Sequence, residues 1–363
     1  MEKVNPMLAD PTPVERPKNA EPWKQVSLSG VAAIVVASTL PLAIGLFAML
    51  LGLKFELALL LVFLPTQLIL GVIAGRKISG KRGQADAILQ VLVVFFAMTV
   101  IVLLVSVVWS VIERGSAAIS WQFITQNNVY ISGTTSLEYG GLGHAIIGTL
   151  LVVGLTTLIA VPLGIATAIY LTETRGRTRS TIRTLIQALS GLPSVVAGLF
   201  IYAMLIASGF TQFVGYAGSL ALLPLMLPTI TRVAEESLLL VPQELRNGAL
   251  ALGSSAWRAF YLVTMPAAKS GLVTAVLLGI ARVIGETAPL LVTTFAANST
   301  NLNPFNGSIA TLPTYLFTYL ANTFDTAIQR AWGAAFVILI LVAILFIAAR
   351  LLTRPKTAKK AGK

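Results

Sequence analysis

Long uncharged apolar runs, separated by short polar stretches that hold most of the charge, dominate the chain. Eight such runs lie near 28–53, 57–75, 87–112, 145–171, 185–208, 217–236, 271–295 and 331–351. A helix rises about 1.5 Å per residue and the hydrocarbon core is about 30 Å thick, so roughly 20 apolar residues suffice for one crossing. The pattern predicts an all-α polytopic membrane protein with about eight transmembrane helices. The run 217–236 is the most interrupted, because Pro224, Pro228 and Arg232 fall inside it.

The polar stretches have a sidedness. An even number of spans returns both termini to one face, and 22 of the 26 Lys and Arg residues lie on that face, in 1–27, 76–86, 172–184, 232–269 and from Arg350 onward. The positive-inside rule then places both termini in the cytoplasm. Lys54, Arg114 and Arg330 fall on the other face, and Arg282 falls within a span. Segments 113–143 and 296–330 become extracytoplasmic, as gates or docking surfaces for an external partner. Residues 1–27 carry five prolines and mixed charge, which predicts a disordered cytoplasmic tail rather than a cleavable signal peptide. An N-terminal transmembrane hairpin at 28–75, a basic cytoplasmic loop at 76–86 and a basic tail at 353–363 complete the frame.

Composition narrows the function classes. The chain is 56% hydrophobic and 11% charged, with mean hydropathy +0.84, which excludes an ordinary soluble domain. A net charge of +12 invites a nucleic-acid reading, but its placement is that of orientation signals, so lipid and not nucleic acid is the expected surrounding. The absence of cysteine removes disulfides, thiolate nucleophiles and Cys-metal sites, and one histidine, His144, cannot build a metal site. No catalytic set is visible and no cofactor is expected. Gly75 to Arg82 nearly spells a phosphate-cradling loop, but it ends in Arg and follows a membrane helix instead of a strand, so ATP would be handled by a separate subunit.

Charge inside a span marks the candidate chemistry. In the run from Gly279 to Leu291, Arg282 lies about 15 Å past Leu272, near mid-membrane, and Glu286 follows at a spacing that puts both side chains on one helix face. Such groups are costly in lipid and face a bundle interior or a wet path. A guanidinium fork matches an oxyanion. Pro193, Pro224, Pro228 and Pro289 interrupt spans, and Ser194, Thr229, Thr231 and Thr287 supply hydroxyls near them.

The polar segment 236–269 reads as helix, glycine turn, helix. Pro242 opens the first helix, Gly253 caps it, Ser254 or Ser255 caps the second, and Pro266 stops it. Asn247-Gly248-Ala249, then Gly253, nine residues, and Val263-Thr-Met265-Pro266 resembles the EAA loop of type I ABC importer permeases. That loop docks on the ATPase. Here Asn247 and Gly248 replace the family's Glu and Ala, while Val263 and Met265 replace Ile and Leu. The resemblance implies a permease core of six transmembrane helices at 87–352, with Asn247, Gly248, Ala249, Gly253 and Pro266 in the coupling loop.

Gly191-Leu-Pro-Ser194, Gly140-Gly-Leu-Gly-His144 and Gly285-Glu286-Thr287-Ala-Pro289-Leu-Leu are similar to the phosphate permease subunits of that family, over about 138–352. This resemblance implies an ATP-driven importer of inorganic phosphate in a bacterial cytoplasmic membrane. Its partners would be a related permease subunit, an ATP-binding subunit dimer and an extracytoplasmic phosphate-binding protein. Arg282 would meet the anion, and Glu286 would orient Arg282 and accept a hydrogen bond from protonated phosphate, which sulfate cannot offer. Molybdate or sulfate stays open as cargo. An ion-coupled secondary transporter is the more distant alternative, since matched inverted halves are not apparent.

Overall fold

The computed structural model describes residues 28–353, and these are helices joined by connections that are longest at 126–142 and 292–311, with no strand among the described residues. The expected tails at 1–27 and beyond 353 lie outside the described residues. Two compact units divide the chain, one within Met1–Val107 and one within Val108–Lys363.

In the first unit, α1 (Leu28–Leu50) leads through Gly52 and a π-helical turn at Ala58–Phe63 into α2 (Leu64–Ser116). As one rod, the 53 residues of α2 would run about 80 Å. Ser79 and Gly80 break it, Gly80 at φ +65°. The chain doubles back there. A Cβ on Gly75 would lie 2.2 Å from the Gly83 carbonyl oxygen, whereas an unbroken helix would separate these residues by about 12 Å. The expected loop 76–86 is therefore mostly helix, because two facing glycines let the arms pack up to the turn.

The second unit is built around α6 (Gly215–Leu239), the most buried of the candidate spans despite Pro224 and Pro228. It packs against α3 (Gly143–Glu173) and α8 (Lys269–Ile284). Ile230 of α6 is the wedge. Gly164 of α3 and Gly279 of α8 receive it so closely that an added Cβ would lie 2.8 and 2.6 Å from its side chain. Small residues at such crossings let backbones approach where no hydrophobic drive separates helix from lipid. Between α3 and α6, Thr156 donates to the Ser219 carbonyl at 3.2 Å and Ser219 donates to the Val152 carbonyl at 2.9 Å. The longer of the remaining helices are α4 (Arg177–Ser190), α5 (Ser194–Ile201), α7 (Gln243–Ala251), α9 (Leu312–Leu320) and α10 (Asp325–Thr353). The flank of α10 exposes Ile340, Ile344, Phe346 and Ile347, the expected character of a lipid-facing surface.

Five helices are long and apolar enough to cross a membrane, seven if each of two sharply bent pairs is one span. Eight would require counting the arms of α2 separately. Two expected spans are not continuous. The run 185–208 is the bent pair of α4 with Ser194–Ile206, and 271–295 contains only the 16-residue α8, about 24 Å long, before the helix breaks.

Candidate functional site

Both breaks have local causes, and they meet. Gly191-Leu192-Pro193 separates α4 from α5 by a 100° bend. Pro193 sits in extended conformation at ψ 134° and disfavours helix at the residue before it. Ser194 is the first residue of α5; it is half-buried, and among the described residues its hydroxyl has no hydrogen-bond partner. The second break follows α8, which stops at Ile284 with Gly285 as its cap; Glu286 and Thr287 are non-helical, and a short turn, Ala288–Leu291, begins at Pro289's side. Pro289 could not continue α8 without losing a hydrogen bond and clashing with the carbonyl four residues back. Gly198 of α5 then lies against this turn, so close that a Cβ on it would stand 2.5 Å from Pro289 Cα. Ser194, one turn before Gly198 on the same face, and Thr287, two residues before Pro289, border the junction.

The expected helical pair of Arg282 and Glu286 does not form. The cap at Gly285 takes Glu286 off the helix, and no ion pair joins the two among the described residues. Arg282 occupies the last turn of α8, where the carbonyl ends of the helix favour a cation, and its side chain is exposed. Its Nη1 donates to Thr229 Oγ1 on α6 at 3.0 Å, and Thr229 in turn donates to the Leu225 carbonyl at 3.1 Å. Glu286 and Thr287 are half-buried.

The segment after α6 has the expected layout with one difference. Pro242 precedes α7, Gly253 adopts φ +86°, and the Ser255 side chain accepts from the Arg258 amide at 3.4 Å. Pro266 does not stop the second helix. A π-helical turn at Phe260–Thr264 precedes it, Pro266 falls in the first turn of Met265–Ala267 where its missing N–H is tolerated, and a 67° bend into α8 follows. Asn247, Gly248, Gly253 and Pro266 are exposed and Ala249 is half-buried; beside them Leu252, Trp257, Tyr261 and Leu262 present apolar surface.

Several side chains read from sequence only as orientation charges have specific partners. Arg246 of α7 forms a two-pronged ion pair with Glu173 at the end of α3, with 2.8 Å from Nη1 to Oε1. Arg183 of α4 pairs with Glu235 of α6. Arg232, three residues beyond Thr229 on α6, places a second exposed guanidinium on the Arg282 side of that helix. The carboxylates opposite them are remote in sequence, which is why spacing rules miss these pairs.

A helical membrane unit centred on a proline-bearing helix, with two broken helices joined at Gly198 and Pro289 and a helix-turn-helix after the central helix, defines a transporter membrane subunit. Residues 160–355 match the family of binding-protein-dependent transport system inner membrane components, and the chain belongs to that family of multi-pass inner-membrane proteins. Its curated relatives include the phosphate transport system permease protein PstA 1 of Mycobacterium tuberculosis, 39% identical over 73% of this chain and 88% of the relative. PstA of Haemophilus influenzae is 38% identical over 69% of this chain and 87% of its own length. A bacterial alginate ABC transporter, solved in complex with an alginate-bound periplasmic protein, shares the fold at TM-score 0.53 with 13% identity, covering 75% of this chain and 95% of that one.

Proposed function

We propose that the chain is a permease subunit of an ATP-driven importer of inorganic phosphate, paired with a related permease. Two copies of an ATP-binding subunit would drive it and an extracytoplasmic phosphate-binding protein would supply it. The observation that carries this reading is Arg282, an exposed guanidinium held by Thr229 beside two helix breaks in a chain similar to PstA permeases. A path shared between two permeases must face outward from each alone, so the exposure of Arg282 and Arg232 suits a path wall. Both termini and the 236–269 hairpin lie in the cytoplasm by the bias of basic residues.

Arg282 offers planar donors to phosphate oxygens, with Ser194 and Thr287 as hydroxyl partners at the helix breaks. The Glu286 carboxylate, without a partner among the described residues, accepts a hydrogen bond from the proton that monohydrogen and dihydrogen phosphate still carry. Asn247, Gly248, Ala249, Gly253 and Pro266 belong to the surface that receives the ATPase, with Leu252 and Trp257 as its apolar contacts. Uptake of labelled phosphate into transport-deficient cells expressing the chain with its partners tests the reading. Uptake should vanish in Arg282→Ala at matched membrane levels, and Glu286→Gln should lose discrimination against sulfate. Wild-type complexes that assemble yet import molybdate or sulfate and not phosphate would overturn it.

A further inference from the structure

Arg330, on the second turn of α10, is fully buried, and among the described residues no carboxylate pairs with it. Its Nη2 donates to the carbonyls of Thr135 at 3.4 Å, Ser136 at 2.9 Å and Tyr139 at 2.7 Å. Its Nε and Nη1 have no hydrogen-bond partner. A buried charge without compensation is strongly unfavourable, so the surroundings of those two nitrogens matter.

They are polar and equally closed. The Tyr315 hydroxyl faces Arg330 and Asn128 without a well-formed hydrogen bond. The Tyr315 ring lies 4.5 Å from the Tyr319 ring and 5.7 Å from His144. Asn128 donates through Nδ2 to the Tyr319 hydroxyl and leaves Oδ1 unbonded, as His144 leaves Nδ1. The unmet donors are one N–H on Nε, two on Nη1 and the Tyr315 O–H, and the acceptors beside them, Asn128 Oδ1 and the Tyr315 oxygen, are uncharged. No acceptor named here carries a negative charge to offset the guanidinium. A water molecule brings as many donors as acceptors and leaves the charge standing, whereas an anion only accepts.

We propose that Arg330 and Tyr315 bind a small inorganic anion of halide size, which serves as the counter-ion that fastens the 133–140 segment to α9 and α10. The groups are shut off from solvent: Asn128 and Arg330 are 0% exposed and His144 and Tyr315 3%. The site is formed by His144 of α3, Tyr315 of α9, Arg330 of α10 and the Thr135–Tyr139 backbone, all apart from the exposed Arg282, and it is independent of which anion is transported.

The test uses the purified full chain in detergent. Its thermal midpoint should rise saturably as chloride replaces gluconate at constant ionic strength, and the rise should be absent in Arg330→Met. Tyr315→Phe, which keeps the ring and loses one donor, should shift the half-saturating chloride concentration severalfold upward. Bromide should give an anomalous scattering peak within hydrogen-bonding distance of Arg330 Nε or Nη1, a readout that needs no variant. A chloride response equal in wild type and Tyr315→Phe, or density at that position without anomalous signal, would overturn the proposal in favour of water. A saturable shift with phosphate and none with halide would also overturn it and make the cluster a second site for the transported anion.

Discussion

Arg282 and Thr229 are 53 residues apart in sequence and joined by a 3.0 Å hydrogen bond that ties the last turn of α8 to α6. The bond fixes the direction of a guanidinium whose own helix ends two residues later. Thr229→Val keeps the branched shape and removes the acceptor. An exposed bond of this kind is worth about 1 kcal/mol, so phosphate uptake should fall roughly fivefold. Arg282→Ala should abolish it. Uptake at the wild-type rate in Thr229→Val would make Arg282's orientation independent of α6.

Two glycines, Gly198 and Gly248, should respond in opposite ways. At Gly198 a methyl group would meet the Pro289 backbone at 2.5 Å, and backbone cannot rotate away. Gly198→Ala should cost about 1–3 kcal/mol and lower the thermal midpoint of the purified protein. Around Gly248 nothing lies within 4 Å of the added atom. Gly248→Ala, inside α7, should stabilise the helix by about 0.5–1 kcal/mol. If uptake nevertheless falls in Gly248→Ala while the fold is firmer, the position is needed for contact with the ATPase and not for the hairpin itself.

Apolar runs revealed the helical membrane architecture because burial in lipid demands only length and low charge. They could not reveal breaks. Gly285 and Pro289 end α8 through backbone geometry, while the apolar run 271–295 reads as one span, so the pattern predicts Glu286 on a helix it does not occupy. The hairpin was more legible, since Gly253 and Ser255 act locally, within a few residues of the turns they set. Thr229, Arg246 and Arg330 find their partners through tertiary packing alone, and no spacing along the chain announces them.

Burial pushes the hydroxyl of Tyr315 above the ordinary tyrosine value of 10.0; neighbouring Tyr319 adds to the rise and Arg330 opposes it. Tyr319 is raised by burial too, again against Arg330. A raised acid holds its proton more tightly folded than unfolded, so the contribution to stability is full below pH 10 and is lost as pH rises beyond it. Of the chain's eight tyrosines, these two should resist ionisation in a titration followed at the tyrosinate absorbance band until the protein unfolds. Early, reversible ionisation of all eight would contradict their burial.

Arg246 and Glu173 connect the exposed helix α7 to the end of α3, and α3 packs along α6. A push on α7 by a partner therefore has a direct mechanical route to the helix that carries Thr229. The pair is a fifth to a third exposed, with side-chain exposures of 32% and 21%, so breaking it should cost only about 0.5–1 kcal/mol of stability. Its effect on coupling should be larger than its effect on folding. Glu173→Gln in the assembled complex should leave ATP hydrolysis near the wild-type rate while phosphate imported per ATP falls severalfold. The exchange Glu173→Arg with Arg246→Glu restores the attraction with reversed ends and should recover part of the lost ratio. Hydrolysis and uptake that decline in proportion, with no recovery on exchange, would reduce the ion pair to a fold contact.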